Sequence, residues 1–302
     1  MKPQHNKILC SLAVFCLFLT RSCDNGLDDF LELQRIMIPV SSEKELQDAI
    51  TEAPDGSVIG IINNIELYAN RQILFSPLLH KTITITSLDR EITLKPNPDY
   101  NLPVLKITGG TLIFGDKRSF GKLILEGYRN PARKGPLINI DGGAGNKPTC
   151  IIRDGVFIQN NYSNFGGGVI VNNGAFLMEG GTIQHNEASN SGGGVWVIND
   201  GTFFIKGNAH ITNNTAGQGG GVHITSTGNH KMEGNARITN NTAVSNGGGI
   251  FIDIGKFIMN GGRIAGNTAL DGGGVYWTTP GNFNGPGRGG VTGNKNGDII
   301  PQ

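Results

Sequence analysis

The chain has 302 residues, 47 of them glycine, with 37% apolar and 16% charged residues and a formal net charge of +1. That balance excludes an acidic disordered chain and lacks the basic excess that binds nucleic acid, so no nucleic-acid partner is expected. Glycine at this density also excludes a helical core, since each Gly inside a helix costs about 1 kcal/mol relative to Ala.

In chain order, the first element is an export signal. Lys2 and Lys7 flank the start of an apolar run from Ile8 to Leu19 that is too short for a permanent membrane span, the pattern of a secretory signal peptide over 1–22. Ser22 followed by Cys23 resembles the lipobox of bacterial lipoproteins. That resemblance implies that Cys23 becomes the first mature residue and carries a lipid, giving a membrane partner through the anchor and a place at the outer membrane or cell surface; the alternative is plain secretion. Loss of Lys2, Lys7 and Arg21 with the leader takes 25 basic residues to 22 against 24 acidic ones, so no strongly charged partner is implied. Cys10 and Cys16 leave with the leader and Cys23 would be acylated, which leaves Cys150 alone and no internal disulfide to form.

Residues 23–39 read as a linker, and 40–302 as one domain. Within it, residues 40–56, with "SSEKELQDAITEAPDG" from Ser41 to Gly56, predict a capping helix and turn, with a capping box from Ser42 to Glu45 and Leu46, Ala49, Ile50 and Ala53 on one face. Residues 57–135 read as irregular coils, among them "VLKIT", "TLIFG" and "KLILEG" between Val104 and Gly127. Residues 136–302 are regular. Triple glycines begin at Gly166, Gly192, Gly219, Gly247 and Gly272, a period that demands a stacked repeat. Each unit holds three short runs such as "GVWVI", "GTFFIKG" and "AHITNN", which predicts three strands per coil and about eight coils.

Stacking the units gives columns of one side-chain type. Val169, Val195, Val222, Ile250 and Val275 stand in the first strand, Phe176, Phe203, Phe257 and Phe283 in the second, and Ile158, Ile183, Ile211, Ile238, Ile264 and Val291 in the third. Equal parity from coil to coil predicts one continuous dry interior. A leucine-rich repeat is excluded, because only Leu177 and Leu270 fall in residues 151–302. The expected fold class is therefore all-β, a right-handed parallel β-helix with a short N-terminal capping helix. "IPVSSEKELQDAITEAPDGSVIGI" with "KTITITS" resembles the opening of pectin-lyase-like β-helices. "GGGVWV" and "GTFFIKGNAHITNNTA" resemble glycine-rich bacterial surface repeats similar to those of polymorphic outer membrane proteins.

Candidate sites fall into three groups. Asn161, Asn186, Asn214, Asn241, Asn267 and Asn294 recur once per coil and predict a hydrogen-bonded ladder of buried amides, a structural role. In the first strand the positions of opposite parity to the valines are Ile170, Trp196, His223, Phe251 and Tyr276, an expected outward aromatic stripe on which a sugar ring or a protein partner would stack; the alternative is stacking that stiffens the sheet, or cover by a loop. Glu179, Lys206 and Glu233 share a register and read as a solvated, charge-compensated ladder. His185, His210, His223 and His230 fall in different columns, so neither a metal nor a cofactor is expected, and His230 replaces a Phe of the core. "GPGRGG" over Gly285–Gly290 precedes no helical pattern and reads as a turn, not a dinucleotide site. The function these features predict is non-catalytic and adhesin-like, a surface rod presenting a face to an extracellular glycan or protein. The alternatives are a polysaccharide lyase or glycoside hydrolase, which the pectin-lyase-like resemblance implies, and a purely structural envelope protein.

Overall fold

A computed structural model describes residues 37–301 apart from 69–71, 77–80, 89, 99–101, 118–120, 132–134, 144 and 286–289. The leader, Cys23 and most of the predicted linker lie outside the described residues, as does the centre of "GPGRGG". The described chain is an all-β parallel solenoid of about eight turns with one short helix.

The helix, α1 (Glu43–Glu52), forms where the sequence predicts it. Ser42 caps it by accepting the Glu45 amide at 3.3 Å, and Glu45 reaches back to the amide of Ser41 at 2.8 Å, one residue earlier than a capping box requires. Its buried face of Leu46, Ala49 and Ile50 lies on the strands of the first coils and closes that end of the core. The strand Met37–Val40 already pairs with Val58–Ile61, so the solenoid takes up the chain within the predicted linker.

Three columns make the interior. In the first strand Leu105, Ile138, Val169, Val195, Val222, Ile250, Val275 and Ile299 follow one another coil by coil. In the third, Leu94, Leu125, Ile158, Ile183, Ile211, Ile238, Ile264 and Val291 do the same. The second runs through Leu112, Cys150, Phe176, Phe203, His230, Phe257 and Phe283. Burial of each such aliphatic or aromatic side chain contributes roughly 1.5–3 kcal/mol, repeated at every turn of the coil.

The coil has one strand more than the sequence predicts. Tyr162–Phe165, Glu187–Ser191, Thr215–Gln218 and Thr242–Ala243 add a fourth strand to the coil and pair into a short parallel sheet between the asparagine corner and the triple glycines. The repeated "N-T-A" is thus a corner followed by a strand whose inward residues, Ser163, Ala188, Ala216 and Ala243, are small because the coil is narrow there.

At the corner itself two successive residues divide the work. Asn160, His185, Asn213 and Asn240 take φ near +55°, with Gly266 and Gly293 at +66° in the next coils. Each is followed by a ladder asparagine. Asn214 shows the pattern: its amide and Nδ2 both donate to Asn241 Oδ1 at 3.0 Å, its Nδ2 donates to the Ile183 carbonyl at 3.0 Å, and its Oδ1 accepts Asn186 N at 2.9 Å. Asn186, Asn241 and Asn267 repeat these bonds, and Asn294 ends the series by donating to Asp298 Oδ1. At the other end, Asn161 Nδ2 finds the carbonyls of Gly135 and Gly167, and its Oδ1 has no partner.

The triple glycines follow from crowding. Gly192 sits at φ +66°; a methyl on Gly193 would lie 2.4 Å from the Gly220 carbonyl, and one on Gly194 would lie 2.7 Å from the Gly221 carbonyl. Only a chain without side chains can stack there.

Candidate binding face

The predicted aromatic column is in register: Ile170, Trp196, His223, Phe251 and Tyr276 pair coil by coil. Its expected exposure is not observed. His223 and Phe251 are each only 5% exposed, while Trp196 and Tyr276 are half-buried. The cause is the glycine corner, which folds back over the first strand. A methyl placed on Gly192 would lie 2.8 Å from Trp196 Cβ, and one on Gly219 would lie 2.7 Å from His223 Cβ. Backbone therefore rests against the base of the column, and the centre is covered.

Within the column the rings stack. His223 lies 4.5 Å from Phe251, and Phe251 lies 5.6 Å from Tyr276, both tilted. Trp196 donates from Nε1 to Thr225 Oγ1 at 3.1 Å, and on its other side Phe165 stacks at 4.6 Å with 22° between the planes. Phe165 is 37% exposed and comes from the fourth strand, which the sequence reading did not contain. Val244 and Leu270 lie in the equivalent segments of later coils, at 74% and 66% exposure. The signal for all three was an apolar residue one to three positions before a glycine triplet.

The buried histidines serve the fold. Neither ring nitrogen of His223 has a hydrogen-bond partner, and burial pushes its pKa down to about 4. His230 occupies the phenylalanine column as expected, with Nε2 at 3.3 Å from the Ser226 carbonyl; burial lowers it to about 4 although that contact opposes the shift. His210 is lowered by burial and then by Arg237, and its Nε2 meets Thr239 Oγ1 at 2.6 Å. The buried Cys150 thiol is pushed up by burial, which keeps it protonated and inert.

The charged ladder is compensated as expected, but Glu233 takes its cation from Lys231 in its own coil, and Glu179 is partly buried. Glu179 lies 3.2 Å from Lys206 Nζ and 3.4 Å from Arg153 Nε, and Glu233 pairs with Lys231. Partial burial pushes the Glu179 carboxyl up, but the two cations outweigh it and hold the group below the ordinary carboxylate range. An ionised, doubly paired carboxylate is poorly suited to deliver a proton. Among the described residues no three His, Cys, Asp or Glu side chains come together as metal ligands.

The chain matches no family model, no curated protein and no solved structure.

Proposed function

We propose that this is an exported β-solenoid, anchored by a lipid on Cys23, that works without catalysis as an adhesin-like rod binding glycan or protein outside the cell. The observation that carries the reading is the Phe165–Trp196 stack, an aromatic pair left partly open beside the covered centre of the column at His223 and Phe251. A rigid aromatic face of this kind suits the apolar face of a sugar ring or an apolar side chain of a partner. The repeat pattern and its likeness to bacterial surface β-helices support the location, and the lipobox likeness at Cys23 supports the anchor.

Binding to a panel of glycans and extracellular proteins tests the face. Phe165→Ala with Trp196→Ala is expected to abolish binding, and Tyr276→Ala to weaken it; unchanged binding removes the column from consideration. Labelled fatty acid should enter the wild-type protein and not Cys23→Ala. Release of cleaved product from an anionic polysaccharide would replace this reading with the lyase or hydrolase one.

A further inference from the structure

The second strands carry an apolar column on their outer face as well as in the core, between a mostly polar column and a charged one. Inward stand the core residues from Leu112 to Phe257, and the central outward column, in the same register, is Ile113, Ile151, Leu177, Phe204, Lys231 and Ile258, apolar except at Lys231. A sheet face turned to water alternates apolar-in with polar-out, whereas strands apolar on both faces are ones with a layer on each side. The third strands of this solenoid show the ordinary case, with Gln159, Gln184, Thr212 and Thr239 outward. Among the described residues this column is covered at Ile113 and open beyond it: Ile151, Leu177, Phe204 and Lys231 are half-buried and Ile258 is exposed. The helix α1 packs only at the first coils.

Beside this column runs the ladder Arg153, Glu179, Lys206, Glu233, one residue per coil, joined by the amides of Glu179, Lys206 and Glu233 donating to the preceding coil. Its signs alternate, plus, minus, plus, minus. An alternating series of even length is complementary to its own reverse. We propose that this face pairs with the same face of a second copy across a two-fold axis parallel to the strands, with the two solenoids antiparallel. Leu177 then faces Phe204 of the second copy, Glu179 faces its Lys206, and Arg153 faces its Glu233. A two-fold along the solenoid axis would instead set Arg153, Glu179 and Lys206 against the outward column of Thr149, Ala175 and Thr202, which carries no opposite charge.

Six coils at about 4.8 Å and three outward columns across roughly 20 Å give on the order of 580 Å² per copy. The total, about 1,200 Å², is at the lower bound of specific interfaces, so a dimer is expected at concentrations on the order of 10 µM and above. The pairing uses none of the aromatic column and stands apart from the reading of that column.

The test is sedimentation of the protein purified from the full-length gene, as the cell processes it, with circular dichroism and melting to show that each variant keeps its fold. Wild type should sediment as a dimer, and Leu177→Glu with Phe204→Glu should raise the dissociation constant at least about 100-fold. Glu179→Lys should also weaken the dimer, by setting like charges across the axis. Adding Lys206→Glu should restore it, since the doubly swapped ladder again meets its own reverse with opposite signs. A wild type that stays monomeric at about 100 µM overturns the proposal. So does a dimer indifferent to the double glutamate variant, or a charge swap that fails to rescue.

Discussion

Asn214→Ala tests the amide ladder at its centre. The side chain is fully buried and takes part in four hydrogen bonds: Nδ2 to the Ile183 carbonyl and to Asn241 Oδ1, and Oδ1 from both the amide and the Nδ2 of Asn186. Alanine removes all four. It leaves the buried Asn186 amide without its acceptor, which costs about 1–3 kcal/mol, and each of the three other lost bonds adds about 0.5–1.5 kcal/mol, so the expected loss is about 2.5–7.5 kcal/mol. Asn294→Ala, at the half-buried end where water can replace the lost groups, should cost only about 1 kcal/mol. Because a solenoid can open coil by coil, the sharper readout is amide exchange: Asn186 N–H should exchange on the order of 100-fold faster in Asn214→Ala, with the first coils unaffected. Equal losses for the central and terminal substitutions, or a central loss under about 1 kcal/mol, would refute the ladder as a source of stability.

Acid should loosen the same coils through histidine. His223 and His230 have pKa values of about 4 in the fold, against an ordinary 6.5, so the unfolded chain takes up the protons first. Stability is therefore complete above about pH 6.5, falls as the pH drops toward about 4, and levels below that, by on the order of 3 kcal/mol per histidine. Denaturant midpoints across that window check it, and His230→Phe, which restores the ring of its neighbours Phe203 and Phe257, should remove about half the slope. At the corners, His185 and Asn213 hold φ +55° and +54°. Asn213→Val should cost about 1–2 kcal/mol, Asn213→Gly should be close to neutral, and His185→Gly should stabilise by up to about 1 kcal/mol, all readable as shifts in melting temperature.

Much of this architecture is legible in the sequence because a solenoid repeats each of its constraints once per coil. One isoleucine three residues before an asparagine says little, but Ile183, Ile211, Ile238 and Ile264 in that position say that the residue faces inward. The helix α1 was legible for a different reason, since its cap and its spacing of apolar residues are local. The fourth strand was not, because its inward residues are Ser163 and alanines, too small to give an alternation of hydrophobicity. The same narrowness hid the fate of the aromatic column. Parity correctly places His223 and Phe251 outside the core, but whether an outward side chain meets water depends on where the next corner folds, and a run of glycines carries no sign of the direction it takes.

That distinction decides where function can reside. The residues repeated most faithfully, the glycines, the ladder asparagines and the inward aliphatics, are each held by a contact to the coils above and below, so a change in one is felt by both neighbours. They are fixed by stacking, whatever the protein binds. Outward positions escape that constraint, and here they differ from face to face: a glutamine and threonine column on the third strands, an apolar column beside a charged one on the second, and an aromatic column covered at its centre on the first. A rod that needed only to stand would be served by polar residues on every face, as the third strands have. The apolar column from Ile151 to Ile258 and the open Phe165–Trp196 edge depart from that economy in two separate places, and each departure calls for its own occupant.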